Sequence, residues 1–177
     1  MSSAKTQSVA RMGLLFALAI ALSWLESLVP LPGAPGVKLG LSNIVTLYCV
    51  TAIGPLSALA LAALKAMFAL TRSGVAAAMS AAGGLCSVCV MLITSRHFSR
   101  VFCSICGGVS HNIAQLSVAA LIMRSALSFY YLPVLIISGV IMGLITGSLL
   151  TTVEPVVRRA LRAPEEKNNK QAEESEP

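Results

Sequence analysis

A chain of 177 residues with 56% hydrophobic and only 11% charged side chains carries less than half the charge of a soluble domain, about 25%, and reads as a polytopic membrane protein folded as one bundle. The net charge of +6 hides an asymmetry: six of the seven acidic residues lie at or after Glu154, there is no Asp, and no carboxylate falls between Ser27 and Val153. This excludes paired-carboxylate hydrolysis, carboxylate-held magnesium and acidic proton relays from the membrane body, and without a GxxxxGK[ST] loop the chain has no ATPase of its own.

In chain order, Lys5 and Arg11 precede an apolar run from about Val9 to Val29. It resembles the start of a signal peptide, but its length suits a retained crossing, for which about 20 apolar residues are needed. Turn-formers from Pro30 to Gly36 follow. A second span is expected over about Leu39–Ile53, stopped by Gly54-Pro55, and a third over Leu56–Leu70; both are short. The fourth covers Val75–Thr94, the fifth Val101–Met123 and the sixth Ala126–Val153. The tail, 154–177, lacks apolar periodicity and is expected to be disordered. The reading is therefore all-α: a short N-terminal segment, 1–8, a six-helix membrane domain, 9–153, and the tail.

The basic residues set an orientation. With the N-terminus in the cytoplasm, the inner segments hold Lys5, Arg11, Arg96, Arg100, Arg158, Arg159 and Arg162, and the outer loops only Lys38, Arg72 and Arg124. That bias obeys the positive-inside rule with both termini cytoplasmic. Small residues recur every fourth position at Gly13, Ala17 and Ala21, at Ala58, Ala62 and Ala66, and at Gly139, Gly143 and Gly147. Such stripes let another backbone approach closely, within the bundle or from a partner helix. The first span is the strongest candidate for docking a partner.

Polar side chains in apolar spans are where function is sought. The fifth span contains SHNIAQL, in which His111 and Gln115 share a helix face beside Asn112. We read the cluster as a neutral part of a pocket, against the alternative of an interhelical hydrogen-bond knot, and assign the chain no catalytic residue. The third span carries Lys65 and, nearly two turns on, Arg72. Lys38, Lys65, Arg72 and Arg124 would favour an anionic or phosphorylated solute, although Lys65 could equally snorkel. In the second span Asn43 is the polar residue of most interest, since Ser42 and Thr46 can bond back to their own helix.

Cys86-x-x-Cys89 and Cys103-x-x-Cys106 have the spacing of a four-thiolate metal site. On apolar helices thiols more often act as small hydrophobes, so no metal or other cofactor is expected; Cys49 stands alone.

KLGLSNIVTL, the basic third span, SAAGGLCSVCVM, SICGGVSHNIAQL and PVLIISGVIMGLITG together resemble the Gx transporter family, also labelled heptaprenyl diphosphate synthase component I. The resemblance covers about Ala10 to Thr152. That family is similar to the substrate-capture (S) components of energy-coupling factor transporters, six-helix proteins that take a vitamin-like solute from outside and dock on a transmembrane coupling subunit with two ATPases. The resemblance implies docking through the first helix, here Ala17 and Ala21. Prenyl synthases use Asp-rich magnesium motifs that this chain lacks, so the label implies an accessory subunit or movement of an isoprenoid or quinone-related compound. Some members are associated with membrane electron transfer.

The resulting expectation is a multi-pass protein of a bacterial cell membrane that binds a small anionic, isoprenoid or vitamin-related solute through Lys38, Asn43, Lys65, Arg72, His111, Asn112 and Gln115. Its partners would be the lipid bilayer and either a coupling subunit with ATPases, docked at Gly13, Ala17 and Ala21, or a prenyl diphosphate synthase catalytic subunit; nucleic acid is not among them. The alternatives are an accessory component of heptaprenyl diphosphate synthase or a membrane electron-transfer component.

Overall fold

The computed structural model of the chain describes residues 3–27, 40–124 and 130–173, with side chains over 6, 9–26, 40–124 and 130–155. Lys38 and the Pro30–Gly36 segment lie outside the described residues. The described structure is helical: α1 (Ser3–Ser27), α2 (Asn43–Tyr48), which continues as a π turn (Cys49–Ile53), α3 (Pro55–Leu70), α4 (Gly74–Thr94), α5 (Arg100–Met123) and α6 (Leu132–Glu173).

Among the described residues, four stretches are long and apolar enough to cross a membrane: Val9–Glu26, Gly74–Thr94, Arg100–Met123 and Leu132–Pro155. The protein is a multi-pass membrane protein. Asn43–Ile53 and Pro55–Leu70 are apolar but shorter. At 1.5 Å per residue they reach about 16 and 24 Å, against a hydrocarbon core of about 30 Å. The exterior suits lipid: Leu14, Trp24, Leu56 and Leu121 are all exposed, as expected where tails rather than water surround the bundle.

Local chemistry fixes the helix ends. Gly54 closes the π turn, its N–H donating to Cys49 O at 2.8 Å. Its φ of +143° is one that side-chain-bearing residues avoid, and Pro55 then opens α3 where its missing N–H costs nothing. Ser73 and Ser99 cap α4 and α5, each in extended backbone, through their hydroxyls to the amides of Ala76 and Phe102. Arg124 ends α5 in the left-handed region, at φ 49°. Beyond the apolar part, α6 carries on through Glu173, where composition alone leads to an expectation of no ordered structure. Its Glu, Lys, Gln and Ala residues are strong helix formers.

Packing rests on close backbone approach. The α6 stripe faces α5: a Cβ on Gly143 would lie 2.5 Å from Ile105 Cα, and one on Gly147 2.7 Å from Val101 Cα. Gly139 faces Val109 in the same way. Antiparallel α5 and α6 are also joined by Ser104 and Thr146, whose hydroxyls are 2.8 Å apart, and at one end by an ion pair between Arg100 and buried Glu154. Met91 of α4 fills the space left by Gly107, and Gly84 sits against Ala62 of α3. The shortest helix is the most enclosed: Asn43, Val45, Thr46, Leu47, Cys49 and Val50 of α2 and its π turn are all buried.

Candidate functional site

Polar side chains within the bundle form two groups, Asn43 of α2 with Lys65 of α3, and His111 with Gln115 of α5 against α4. Gly54 reverses the chain between α2 and α3, which brings Asn43 beside Lys65; Nζ donates to Asn43 Oδ1 at 3.5 Å. Lys65 lies ten residues into α3, about 15 Å along its axis, and His111 eleven residues into α5, about 16 Å. Both helices start from the same side of the bundle, so the two residues lie at similar heights along it.

Two adjacent glycines of α4 connect them. Gly83 faces α5, where a Cβ would lie 2.8 Å from both Gln115 Cγ and His111 Cε1. Gly84 faces α3 at Ala62, one turn before Lys65. The absence of a side chain at Gly83 is what lets His111 and Gln115 lie flat on α4. Ser87, one turn along from Gly83, is fully buried. Among the described residues, Ser87 Oγ and Asn43 Nδ2 are buried without a hydrogen-bond partner. An unsatisfied buried polar group costs about 1–3 kcal/mol, so each of the two atoms calls for a partner such as a water or a ligand.

A brace holds the end of this cluster. Glu26, at the end of α1 and 3% exposed, accepts from the Leu41 amide at 2.8 Å and from the Gly40 amide. Gly40 adopts φ +94°, and its carbonyl accepts from Asn43 N–H at 2.9 Å. Hydrogen bonds thus run from α1 through Gly40 and Asn43 to Lys65.

The remaining sequence candidates are placed elsewhere. Asn112 turns away from His111 toward α6, where Nδ2 donates to Leu135 O at 2.9 Å; adjacent helical residues point about 100° apart. It serves the α5–α6 seam. Ser110 bonds back to Gly107 O. Arg72 and Arg124 are exposed at helix ends, away from the cluster. Gly13, Ala17 and Ala21 all lie on the exposed side of α1.

The CxxC thiols have different surroundings: Cys103 is buried and donates to Met91 O at 3.2 Å, whereas Cys89 is exposed. Among the described residues no three His, Cys, Asp or Glu side chains gather as metal ligands. Helical spacing puts each pair on one helix, but the two helices turn their thiols to different surroundings.

Three contributors lie outside the residues singled out from sequence: Glu26, Gly83 and Ser87. Glu26 carries a signal of its own, since an acid within an apolar run points to a buried partner. Gly83 and Ser87 went unnoticed inside a run of small residues, where no pattern separates a glycine that fits a neighbour's side chain from one that merely permits packing.

Residues 15–153, from α1 to the end of the apolar part of α6, match the model of the family described as heptaprenyl diphosphate synthase component I. The chain belongs to this family. The match takes in every residue of the polar cluster and its brace. No curated protein and no solved structure matches the chain.

Proposed function

We propose that this protein is the membrane-embedded accessory component of a heptaprenyl diphosphate synthase, serving isoprenoid quinone metabolism by binding a ligand within its bundle rather than by catalysis. The observation that carries the reading is the pair of polar groups within the bundle, Asn43 with Lys65 and His111 with Gln115 against Gly83. A cation and neutral donors, in a body without carboxylates between Ser27 and Val153, suit an anionic or strongly hydrogen-bonding ligand and provide nothing to hold catalytic magnesium. The family's description supports a synthase as the partner.

Co-expression with a soluble prenyl synthase catalytic subunit is the test. The expected result is copurification in detergent and a shift in product chain length that Lys65→Ala abolishes. A catalytic subunit that neither copurifies nor changes its products in the presence of the protein would refute the proposal.

A second reading is favoured by α1. Gly13, Ala17 and Ala21 are exposed together, a face open to a partner helix in the membrane. On this reading the protein is an S-component-like substrate-binding subunit of a transporter, with both termini cytoplasmic and a separate energising partner. Copurification with a coupling subunit and its ATPases, abolished by Ala17→Leu, would select it.

A further inference from the structure

The end of the bundle where α4 gives way to α5 gathers cations that neither polar group uses. Arg96 and His97 are exposed on the turn between the two helices. Among the described residues neither side chain has a hydrogen bond or an ion pair. Arg100 opens the next helix, and its charge is taken up by the buried Glu154 carboxylate of α6. That ion pair fixes α6 beside the turn, and α6 continues as helix through positions 158, 159 and 162, all arginine. Positions 158 and 162 follow Glu154 at four-residue spacing, in the same row of the helix, and no acid follows Glu154 until Glu165. With Glu154 engaged by Arg100, this end of the bundle is positive. We infer that it binds an anionic phospholipid, with the phosphate on Arg96 and an acyl chain along α4.

Two features favour a lipid over a soluble acidic protein. The first is apolar surface that leads to the turn. Leu85, Cys89 and Ile93 are exposed at four-residue spacing, which makes one row on α4. The row lies within the span Gly74–Thr94 and ends at Ile93, three residues before Arg96. An acyl chain can follow it while the headgroup stays at the turn, whereas a water-soluble partner meets the turn alone. The second is aromatic. Phe98 and Phe102 are both exposed, with ring centroids 4.7 Å apart, and aromatic side chains concentrate at the level of lipid headgroups. A guanidinium there offers two parallel donors to a phosphate. At the opposite end Arg72 and Arg124 are single exposed cations, one after α3 and one after α5. The lipid site stands apart from both readings of function given above.

The experiment places the full chain in phosphatidylcholine nanodiscs with a minor fraction of phosphatidylglycerol, and native mass spectrometry counts the lipids retained. The parent should hold phosphatidylglycerol well above its share of the membrane. Arg96→Gln should lower that preference about fivefold, the worth of one cation near an anionic surface. Arg96 is exposed and bonded to no described residue, so this variant folds. Arg72→Gln combined with Arg124→Gln removes more charge from the other end and should leave the preference unchanged. Soluble glycerol phosphate in excess should not displace the lipid. A parent without preference for phosphatidylglycerol overturns the inference. So does an equal loss in the opposite-end variant, which would make net charge the cause, or displacement by glycerol phosphate, which would mean a free-phosphate site. If Arg96→Gln keeps its phosphatidylglycerol but releases a copurifying soluble subunit, the surface belongs to a protein partner and the inference falls.

Discussion

Adding one methyl group to each of three glycines should give three different outcomes, because their surroundings differ in what can move. At Gly13 a Cβ meets nothing within 4 Å. Only the intrinsic gain of Ala over Gly in a helix acts there, up to about 1 kcal/mol. At Gly84 the nearest atom is Ala62 Cβ at 3.3 Å, a tight contact relieved by a few tenths of an ångström, so crowding and propensity should nearly cancel. At Gly143 the added carbon would lie 2.5 Å from Ile105 Cα, 2.8 Å from Ile105 N and 3.0 Å from Ser104 O. These are backbone atoms of a packed helix and cannot rotate away. Overpacking costs about 1–3 kcal/mol, and after the propensity gain Gly143→Ala should be destabilised by about 1–2 kcal/mol. The change should also strain the neighbouring Ser104–Thr146 hydroxyl pair. Reversible unfolding of the three variants in one detergent or bilayer, read by a helix-sensitive signal, checks the order Gly13→Ala, Gly84→Ala, Gly143→Ala from most to least stable. A Gly143→Ala protein as stable as the parent would mean that the α6 stripe is not the close seam described here, and the arrangement of α5 and α6 would need revision.

Other substitutions separate packing from binding. Asn112→Ala should cost about 0.6 kcal/mol, the usual worth of an interhelical bond in a membrane, and leave ligand affinity unchanged. His111→Ala should reduce ligand affinity while altering stability little, and a ligand-dependent rise in unfolding temperature, which follows binding to the folded state, measures both. Removing Arg100 leaves the buried Glu154 carboxylate without its guanidinium, so Arg100→Ala should destabilise by about 1–3 kcal/mol, less than for a fully buried pair because Arg100 is 40% exposed. Adding Glu154→Gln to that variant should restore most of the loss, a coupling that a double-mutant cycle reads directly. Glu26→Gln keeps an acceptor for the Gly40 and Leu41 amides, so it should retain ligand binding better than Glu26→Ala.

Much of the fold is legible from one-dimensional signals. Apolar length reveals the long spans, and Gly54-Pro55 marks the boundary between the π turn and α3 within a residue of where it falls. The part of α6 after Glu154 is not legible in this way, because helix propensity acts without apolar periodicity. The site is legible only in pieces. Spacing places His111 and Gln115 on one face, which is so, but does not say that the face meets Gly83. It also groups Asn112 with them by sequence, whereas the backbone turns its amide to Leu135 O. A helix position specifies a direction, and the identity of the neighbour in that direction is a property of the assembled bundle.

The same reasoning explains why α2 is both the shortest helix and the most buried. A segment of eleven residues reaches only about half of the hydrocarbon core, so the level of Asn43 is not covered by a further turn of α2. The end of the helix is instead held by Glu26 through Gly40 and Leu41, and its other end by the π turn into Gly54. Fixing a short helix at both ends keeps its first residue, Asn43, beside Lys65. A longer α2 would add crossing length and bury the cluster behind another turn. The brace from α1 holds the buried Asn43 in place beside Lys65. If so, Glu26→Ala should weaken ligand binding by loosening Asn43, even though Glu26 itself need not touch the ligand. Restored binding in Glu26→Gln would separate that positioning effect from a general loss of fold.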